Sequence, residues 1–286
     1  MRFIRFVLCY LTSLISPINL IDLINLESMP RFHLFEFEDQ QWFPKTIRNY
    51  MTDFLQFVTN QFDMFKGSVP ILQKGLDKSG GSQVIDLASG GGGAWLKLAN
   101  HLKETHPDIQ VKLTDYFPNH TAFEKMVQNG GAYFSFEKDS VNALQVPDHL
   151  KGFRTQFLSF HHFKPAEAQQ ILQNAVDNQS VIGIFEGQKR SVGHFIQFFF
   201  SPINVLLVTP FIRPFSLGRI LFTYLIPVVP LFVWWDGLVS VLRTYSVKEM
   251  TDMTKQLKNG DSFEWEIGEV KSGPMVNLYL LGYPKT

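Results

Sequence analysis

The sequence has one cysteine, no net charge and no internal repeat, and each of these absences excludes a class of protein. The single cysteine, Cys9, rules out an internal disulfide framework and the usual cysteine-based zinc sites, which suits a reducing, cytoplasmic compartment. Lysine plus arginine and aspartate plus glutamate each total 26, and no basic stripe occurs. This balance disfavours a nucleic-acid partner. Because no repeat, low-complexity tract or polar linker divides the 286 residues, we expect one domain and no metal site.

The first 28 residues form an apolar N-terminal extension. Arg2 and Arg5 precede an apolar run from Phe6 to Ile21, which Pro17 interrupts. The pattern resembles a signal sequence or an anchor, but no small-x-small cleavage site follows and the run is shorter than the roughly 20 residues that span a bilayer. Met29 begins a segment that leads into an amphipathic helix. We therefore assign residues 29–286 to the folded domain and leave open whether residues 1–28 belong to the mature protein.

From Ser82 onward, short apolar strands alternate with helical segments. Five segments read as strands, namely QVIDLAS, IQVKLTD, AYFSFEKD, TQFLSF and VIGIFE. The segment AWLKLANHLKE has helical periodicity, and Pro165 opens a second helix through AEAQQILQNAVDN, where a missing N–H costs nothing. This alternation predicts an α/β fold in which helices cover both faces of a mostly parallel sheet.

The C-terminal forty residues follow a different pattern. Ser246 and Glu249 have the spacing of a capping box at the start of a helix. Two alternating runs, FEWEIGEV and MVNLYLLGY, then flank KSGP, which predicts an antiparallel hairpin with a four-residue turn at the sheet edge. Together with the five earlier strands, the hairpin predicts a Rossmann-like, doubly wound, mostly parallel seven-stranded sheet with an antiparallel C-terminal hairpin.

A glycine-rich turn follows the first predicted strand. The residues Gly90 to Gly93 lie between that strand and a helix, so the backbone can approach a ligand closely and the helix N-terminus can offer free N–H groups. Since ligands bind beyond the carboxyl ends of parallel strands, Asp86, Asp115 and Asp139 are expected to converge on one crevice. An acidic residue at the end of the second strand, Asp115, can accept hydrogen bonds from both ribose hydroxyls.

The segment Asp86-Leu-Ala-Ser-Gly-Gly-Gly resembles the D-x-G-x-G-x-G motif of class I S-adenosylmethionine-dependent methyltransferases, with Ala88 replacing the first glycine. The chain resembles a bacterial-type member of that family. The resemblance implies a methyltransferase domain over residues 29–286 and S-adenosyl-L-methionine as the cofactor. By this resemblance the amino-acid part of the cofactor, its ribose and its adenine are bound by Asp86, Ala88, Ser89, Gly90, Gly91, Gly92, Asp115, Tyr116, Asp139, Ser140, Ser159 and His161.

Two other interpretations of the glycine turn stay open. A nicotinamide dinucleotide site would carry G-x-G-x-x-G, but the nearest register, Ala88, Gly90 and Gly93, lacks the first glycine. An NAD-dependent oxidoreductase is therefore less favoured. A flexible loop without a ligand is disfavoured by the three acidic strand ends. The sequence also lacks the N/D-P-P-Y segment of enzymes that methylate nucleic-acid or glutamine amino groups, which makes those substrates less favoured.

The catalytic candidates are His161 and His162, which follow the fourth strand. Either could take the proton of a hydroxyl acceptor, and either could simply line the cofactor pocket. Alignment of the reactants and exclusion of water supply much of the rate of methyl transfer, so a dedicated base need not exist. Glu186 and His194 are candidates for substrate contact, although Glu186 could equally cap the next helix.

Residues 191–243 form an apolar insertion with few charges, where substrate identity is expected to reside. Three arrangements remain open: contact with a membrane surface, a buried lid or dimer surface, and true spanning, which the prolines disfavour. All three predict an apolar small-molecule or lipid-like acceptor. Further substrate candidates are Trp234, Trp235, Arg243 and Tyr245, although Arg243 could simply pair with a carboxylate. We expect a cytoplasmic enzyme, with peripheral attachment to the inner face of the membrane left open, and keep a non-catalytic cofactor-binding or membrane-associated structural protein as the alternative.

Overall fold

A seven-stranded sheet forms the centre of the computed structural model, which describes residues 30–285. In chain order the strands are β1 (Gln83–Asp86), β2 (Gln110–Leu113), β3 (Phe134–Phe136), β4 (Phe153–Phe157), β5 (Ile182–Glu186), β6 (Phe263–Ser272) and β7 (Met275–Pro284). Their order across the sheet is β3-β2-β1-β4-β5-β7-β6. Strands β1 to β5 pair in parallel, and β7 is antiparallel to both β5 and β6. The predicted sheet is confirmed.

Ten α-helices are found among the described residues. They are α1 (Lys45–Gln61), α2 (Val69–Ser79), α3 (Trp95–Leu102), α4 (His120–Gly130), α5 (Pro165–Asp177), α6 (Val192–Phe199), α7 (Ser201–Val208), α8 (Leu217–Ile220), α9 (Val228–Arg243) and α10 (Val247–Thr254). Two local signals act as predicted. Pro165 occupies the first turn of α5, and at the start of α10 the Ser246 hydroxyl accepts the Glu249 N–H while the Glu249 carboxylate accepts the Ser246 N–H.

Each face of the sheet is covered by its own helices. Because side chains alternate along a strand, Val84 enters a core with α2, α3 and α4, whereas Ile85 enters a separate core with α5 and α10. The same alternation separates Leu281 from Leu280 on β7. The prediction of helices on both faces is therefore confirmed.

The C-terminal hairpin is tighter than predicted. Lys271 pairs with Val276 and Ser272 pairs with Met275, so only Gly273 and Pro274 remain for the turn instead of the four residues KSGP. Gly273 has a φ of 61°, a left-handed conformation that glycine adopts without steric cost. Farther from the turn, residues Leu278 to Gly282 of β7 pair with the full length of β5.

The insertion folds into helices α6 to α9 and packs against α1. Val205, Val208 and Val233 share a third apolar core with Ile47 and Met51 of α1. Among the described residues no single helix is long and apolar enough to cross a bilayer, whereas two bent helix pairs satisfy the same length and composition test, Val192–Phe199 with Ser201–Phe211 and Leu217–Leu225 with Val228–Arg243. The predicted apolar extension, residues 1–28, lies outside the described residues.

Candidate functional site

The glycine turn between β1 and α3 takes a left-handed backbone path. Ala88, Gly90 and Gly92 have φ values of 54°, 56° and 96°. Such a φ is uncommon for a residue with a Cβ, and Ala88 adopts it because the neighbouring contacts fix the turn. Glycine is required at Gly92, where a Cβ would come within 2.7 Å of the Met126 side chain. The sequence expectation that Ala88 can replace the first glycine is consistent with this geometry.

Asp86 holds the turn from beneath. Its carboxylate accepts hydrogen bonds from the Ser89 hydroxyl at 2.6 Å and from the Thr155 hydroxyl at 2.8 Å. Burial raises the pKa of Asp86 to about 6, because the charged form loses its hydration. Asp86 is 2% exposed and lies below the cleft surface, so in this structure it positions the turn.

Asp115 connects the glycine turn to the end of β2. One carboxylate oxygen accepts the Gly90 N–H at 2.7 Å and the other accepts the Phe117 N–H at 2.7 Å. Burial raises its pKa. A carboxylate oxygen can accept more than one hydrogen bond, so both oxygens keep capacity for ribose hydroxyls.

A cleft of about 750 Å³ opens above these two elements. It is enclosed by α1, the glycine turn, the loops after β2, β3 and β4, and a segment without helix or strand that we call the strap, residues 30–44. Nine of the predicted site residues line it: Ala88, Ser89, Gly90, Gly91, Asp115, Tyr116, Ser159, His162 and Arg243. Clefts of this size accommodate a cofactor together with part of a second ligand.

The remaining predicted site residues lie elsewhere. Asp139 and Ser140 are exposed after β3, and the Ser140 hydroxyl donates to the Tyr116 carbonyl at 2.7 Å, while Asn142 and Ala143 line the cleft instead. Asp86, Gly92, His161, Glu186 and Tyr245 lie behind the cleft surface. The other three predicted residues lie on the insertion. His194 forms a hydrogen bond with the Ser191 hydroxyl, and Trp234 packs on Phe199. The Trp235 ring N–H donates to the Phe35 carbonyl.

His161 forms a buried pair with Glu186. The residue lies in a single 3₁₀ turn, Phe160–His162, directly after β4, and Glu186 ends the neighbouring β5. The imidazole Nδ1 lies 2.9 and 3.0 Å from the two carboxylate oxygens, and the His161 N–H donates to Glu186 at 2.9 Å. An Nδ1–H bonded to the carboxylate leaves a lone pair on Nε2, which has no hydrogen-bond partner among the described residues.

The strap closes over this pair through buried charges. Glu36 is fully buried; its carboxylate lies 3.9 Å from Nε2 of His161, 2.9 Å from Nδ1 of His162 and 3.1 Å from the Arg243 guanidinium. Asp39 contacts His162 at 2.8 Å and Arg243 at 2.7 Å. On the other side, the Asp236 carboxylate accepts the backbone N–H groups of Phe37 and Glu38 at 2.8 and 3.1 Å.

The charges in this network assign different roles to the two histidines. Burial favours neutral His162, but Glu36 and Asp39 outweigh it and raise the pKa of His162 well above its usual value. The same contacts lower the pKa of Glu36 and of Asp39 against the effect of their own burial. Because His162 already holds its proton at neutral pH, it cannot act as a base. Of the two predicted catalytic residues, His161 is the one with a buried ring nitrogen, Nε2, that has no hydrogen-bond partner among the described residues.

Arg243 and Tyr245 have structural partners at the end of the insertion. Besides its two carboxylates, Arg243 donates to the His162 carbonyl at 2.7 Å, which agrees with the simpler expectation that Arg243 pairs with a carboxylate. The Tyr245 hydroxyl donates to the Phe163 carbonyl at 2.8 Å, and the Arg31 guanidinium lies 4.1 Å above its ring. Arg243 reaches the cleft, whereas Tyr245 fixes the loop after β4 from behind.

A metal ion would have to compete with these cations. Glu36, His161 and His162 bring possible ligand atoms within 4.8 Å of one another. A ligating histidine must be neutral, however, and His162 is held protonated by the same carboxylates that a metal would need. Arg243 already neutralises Glu36 at 3.1 Å. The arrangement therefore favours an ion-pair network over a metal centre.

Sequence reasoning missed the strap and α1 as walls of the cleft. Glu36 and Asp39 lie in a stretch without periodicity, and their partners Ser240 and Arg243 are each 204 residues away in the sequence. One signal was available. Asp236 stands alone in an apolar helix, and a charge buried in such a helix requires a partner.

Comparisons with known proteins support the fold. No protein-family model and no curated protein matches the sequence. An O-methyltransferase family protein from Burkholderia thailandensis is similar with a TM-score of 0.50 and 14% identity over 97% of this chain and 70% of its own. PigF, solved with SAH, gives a TM-score of 0.47 at 17% identity, covering 86% of this chain and 63% of PigF. The S-adenosylmethionine-dependent methyltransferase SibL gives 0.47 at 14% identity, covering 80% of this chain and 58% of SibL.

The first of these similarities covers 97% of this chain. Its low identity limits what it establishes to architecture. In this chain that architecture is a mostly parallel sheet with an antiparallel C-terminal pair. This chain therefore has the Rossmann-like fold of an O-methyltransferase family protein.

Proposed function

We propose that this protein is an S-adenosylmethionine-dependent methyltransferase that modifies a hydroxyl group on an apolar small-molecule or lipid-like acceptor. The observation that carries the proposal is the joint placement of the glycine turn, Asp115 and the His161–Glu186 pair at the carboxyl ends of adjacent parallel strands. In open α/β sheets this edge binds the ligand. The antiparallel β7 and the missing G-x-G-x-x-G disfavour a nicotinamide cofactor.

The cleft fits the cofactor. A Cβ at Gly91 would approach the Thr52 carbonyl oxygen to 3.2 Å, so glycine lets the turn lie against α1 while leaving the cleft side open. The segment Ala88–Gly91 would hold the amino-acid part, and Asp115 the ribose hydroxyls. Tyr116 and the loop through Asn142 and Ala143 would flank the adenine. The cofactor supplies a methyl group on a sulfonium, a good leaving group.

His161 is the general base of the proposed reaction. The acceptor hydroxyl gives its proton to Nε2, while Glu186 fixes the ring through Nδ1 and balances the positive charge that forms. A positioned base of this kind contributes about 10²- to 10⁴-fold to the rate. Since Glu36 encloses Nε2 at 3.9 Å, the strap must shift for the acceptor to enter.

The acceptor class follows from the walls beyond the cofactor part of the cleft. The cleft lining includes the apolar side chains of Leu34, Phe35, Leu144, Leu158 and Phe163, and Leu34 and Phe35 are also exposed to solvent. Ligand sites with such walls bind apolar groups and use a few polar groups for orientation. Arg243 and Lys164 are among the cationic side chains that line the cleft, together with Arg48 and His162, and can orient a polar head.

Transfer of a labelled methyl group tests the proposal. The full chain is incubated with methyl-labelled S-adenosylmethionine and a lipid extract, and label is counted in the organic and aqueous phases. We expect label in the organic phase, and a loss of at least about 100-fold in His161→Gln. Label found only in small hydrophilic acceptors would exclude the lipid-like acceptor. Equal activity in His161→Gln would exclude the base.

A cofactor-binding protein without turnover is the second candidate. The burial of His161 favours it, because Nε2 is buried 3.9 Å from the Glu36 carboxylate and His161 is not among the residues that line the cleft. Saturable binding of S-adenosylmethionine together with no transfer to any extract fraction would support this alternative. Transfer at any rate that depends on His161 would reject it.

A further inference from the structure

Large exposed apolar side chains are concentrated on the insertion. Among the described residues 19 are exposed, and 13 of them lie between Phe199 and Leu231. Monomeric soluble proteins rarely expose contiguous apolar patches larger than a few hundred Å² unless another surface binds there. We name this set the apolar face; its members are Phe199, Phe200, Ile203, Leu206, Leu207, Phe211, Phe215, Leu217, Leu221, Tyr224, Leu225, Ile226 and Leu231.

Helix α7 shows that the face is not the back of an ordinary amphipathic helix. Val205 and Val208 enter the core against α1, while Ile203, Leu206 and Leu207 on the other side are 38–46% exposed. A helix that is apolar all round is buried, either in a large core or in a membrane. One side of α7 is buried against the protein. Its other side is exposed but carries apolar side chains, as a buried surface does.

Charge is almost absent from this surface. Residues 192–242 carry three charged side chains. Arg219 is buried and paired with Asp53 at 2.6 Å, and Asp236 is buried against the strap. Arg213 alone is exposed among these three. Protein interfaces of soluble partners keep a polar rim, whereas a hydrocarbon phase accepts a surface without one.

The strap continues the face toward the N-terminus. Phe35 packs 5.4 Å from Trp235 of α9, and the Phe32 N–H donates to the Leu242 carbonyl at 3.2 Å. Phe32, Leu34 and Phe35 are each at least 45% exposed. The chain that precedes the strap contains the apolar run Phe6 to Ile21 after Arg2 and Arg5. Phe32, Leu34 and Phe35 therefore extend the exposed apolar surface toward the N-terminal end of the described chain.

We infer that the apolar face docks on a lipid bilayer, with the protein lying on one leaflet and its helices entering the acyl boundary without crossing it. The bend of 75° between Leu217–Leu225 and Val228–Arg243 suits a segment that enters and leaves the same surface. Aromatic groups and Arg213 are suited to the headgroup level. Leu34 and Phe35 lie at the cleft mouth beside this face, so an acceptor can pass from the bilayer to the cleft; this last step rests on the proposed function.

Vesicle co-sedimentation of the full chain tests the inference. The probes are vesicles of phosphatidylcholine alone and of phosphatidylcholine with phosphatidylglycerol. Leu217 and Leu225 are 77% and 76% exposed, so Leu217→Asp with Leu225→Asp adds charge to the face without entering the core. The matched control, Ala132→Asp with Ala166→Asp, adds the same charge at exposed positions away from the face. We expect wild type and control to sediment with both vesicles, and the face variant to lose at least tenfold in partitioning.

Three results would overturn the inference. The first is failure of the folded full chain to bind either vesicle. The second is unchanged binding in the face variant, which would assign membrane contact to the residues before the strap. The third is a dimer that the face variant dissociates while vesicles bind neither form, which would make the face a contact between two copies. Titration of S-adenosylmethionine into the same samples reports separately on fold and cofactor site, so failure of the proposed function remains distinguishable.

Discussion

The two sides of the cleft are held by contacts that differ greatly in sequence separation. The cofactor side is the glycine turn with Asp115, and the proposed acceptor side is the strap with its partners. On the cofactor side, Ser89 bonds to Asp86 three residues away, and Gly90 bonds to Asp115 across 25 residues. On the acceptor side, Arg243 bonds to Asp39 across 204 residues and Phe37 bonds to Asp236 across 199. The first side depends on the backbone geometry of one turn. The second depends on buried ion pairs that form only after the chain has closed.

This difference predicts that substitutions on the two sides will separate in their effects. A change on the acceptor side should alter the reaction or the stability of the whole domain, whereas a change on the cofactor side should alter cofactor affinity with little effect on folding.

His161→Gln should reduce the turnover number by about 10²- to 10⁴-fold, because it removes the base while keeping a side chain of similar volume. Cofactor affinity should stay within about twofold, since His161 lies behind the cleft surface. Single-turnover transfer and calorimetric titration of the same preparation measure the two quantities. A parallel loss of both would mean that His161 supports the cofactor site instead.

Arg243→Met should lower the free energy of unfolding by about 3–5 kcal/mol, because it leaves Glu36 and Asp39 without their buried partner. Urea unfolding followed by fluorescence measures the change. The control Lys248→Met removes an exposed pair with Asp252 and should cause no measurable change. Equal stability of both variants would contradict the importance of the strap network.

Asp115→Asn should weaken S-adenosylmethionine binding by about 10- to 100-fold, because hydrogen bonds to a charged group are worth about 1.5–3 kcal/mol. Asp139→Asn is the matched control. Asp139 is exposed and lies off the cleft, so its variant should bind as wild type does. Calorimetry measures the affinity of both variants. A loss of affinity in the Asp139 variant alone would mean that the loop after β3 contacts the ribose or adenine and that Asp115 does not.

Stability should fall as pH rises above about 6.5, the usual pKa of histidine. The raised pKa of His162 means that its contribution is complete below that pH and is lost as pH rises through the folded value. Glu36 and Asp39, with lowered pKa values, contribute above about pH 4 and lose that contribution on acidification. Melting temperatures from pH 5 to 9 should show a decline above 6.5 that His162→Gln reduces and His120→Gln does not. A flat profile in wild type would contradict protonation of His162.

The contrast in contact range also explains what the sequence could predict. Strand positions, the Pro165 start of α5 and the capping box at Ser246 follow from periodicity and local chemistry, and the structure confirms them. The glycine turn and Asp115 were recognisable because their contacts follow from consecutive strands. The hairpin turn came out two residues too long, since cross-strand pairing of Lys271 and Ser272 is decided by the partner strand.

Other parts of the site carried no local signal. Glu36 and Asp39 lie in a stretch without periodicity, so nothing in that stretch indicates that it closes over His161. The different roles of the two histidines could not be predicted from the sequence either. They depend on Glu186 beside the His161 ring and on the strap carboxylates beside the His162 ring. Asp139 and Ser140 differ from these residues, because the family motif predicts them in the cleft. In the structure Asn142 and Ala143 line the cleft instead.

Calorimetric titration of S-adenosylmethionine, and separately of NADH, into the full chain tests the cofactor assignment. We expect saturable binding of S-adenosylmethionine, and binding of NADH at least about tenfold weaker, since the turn lacks the dinucleotide fingerprint. If well-folded protein binds no S-adenosylmethionine, or prefers NADH, the assignment is wrong and the apolar insertion is left as the functional part of the molecule.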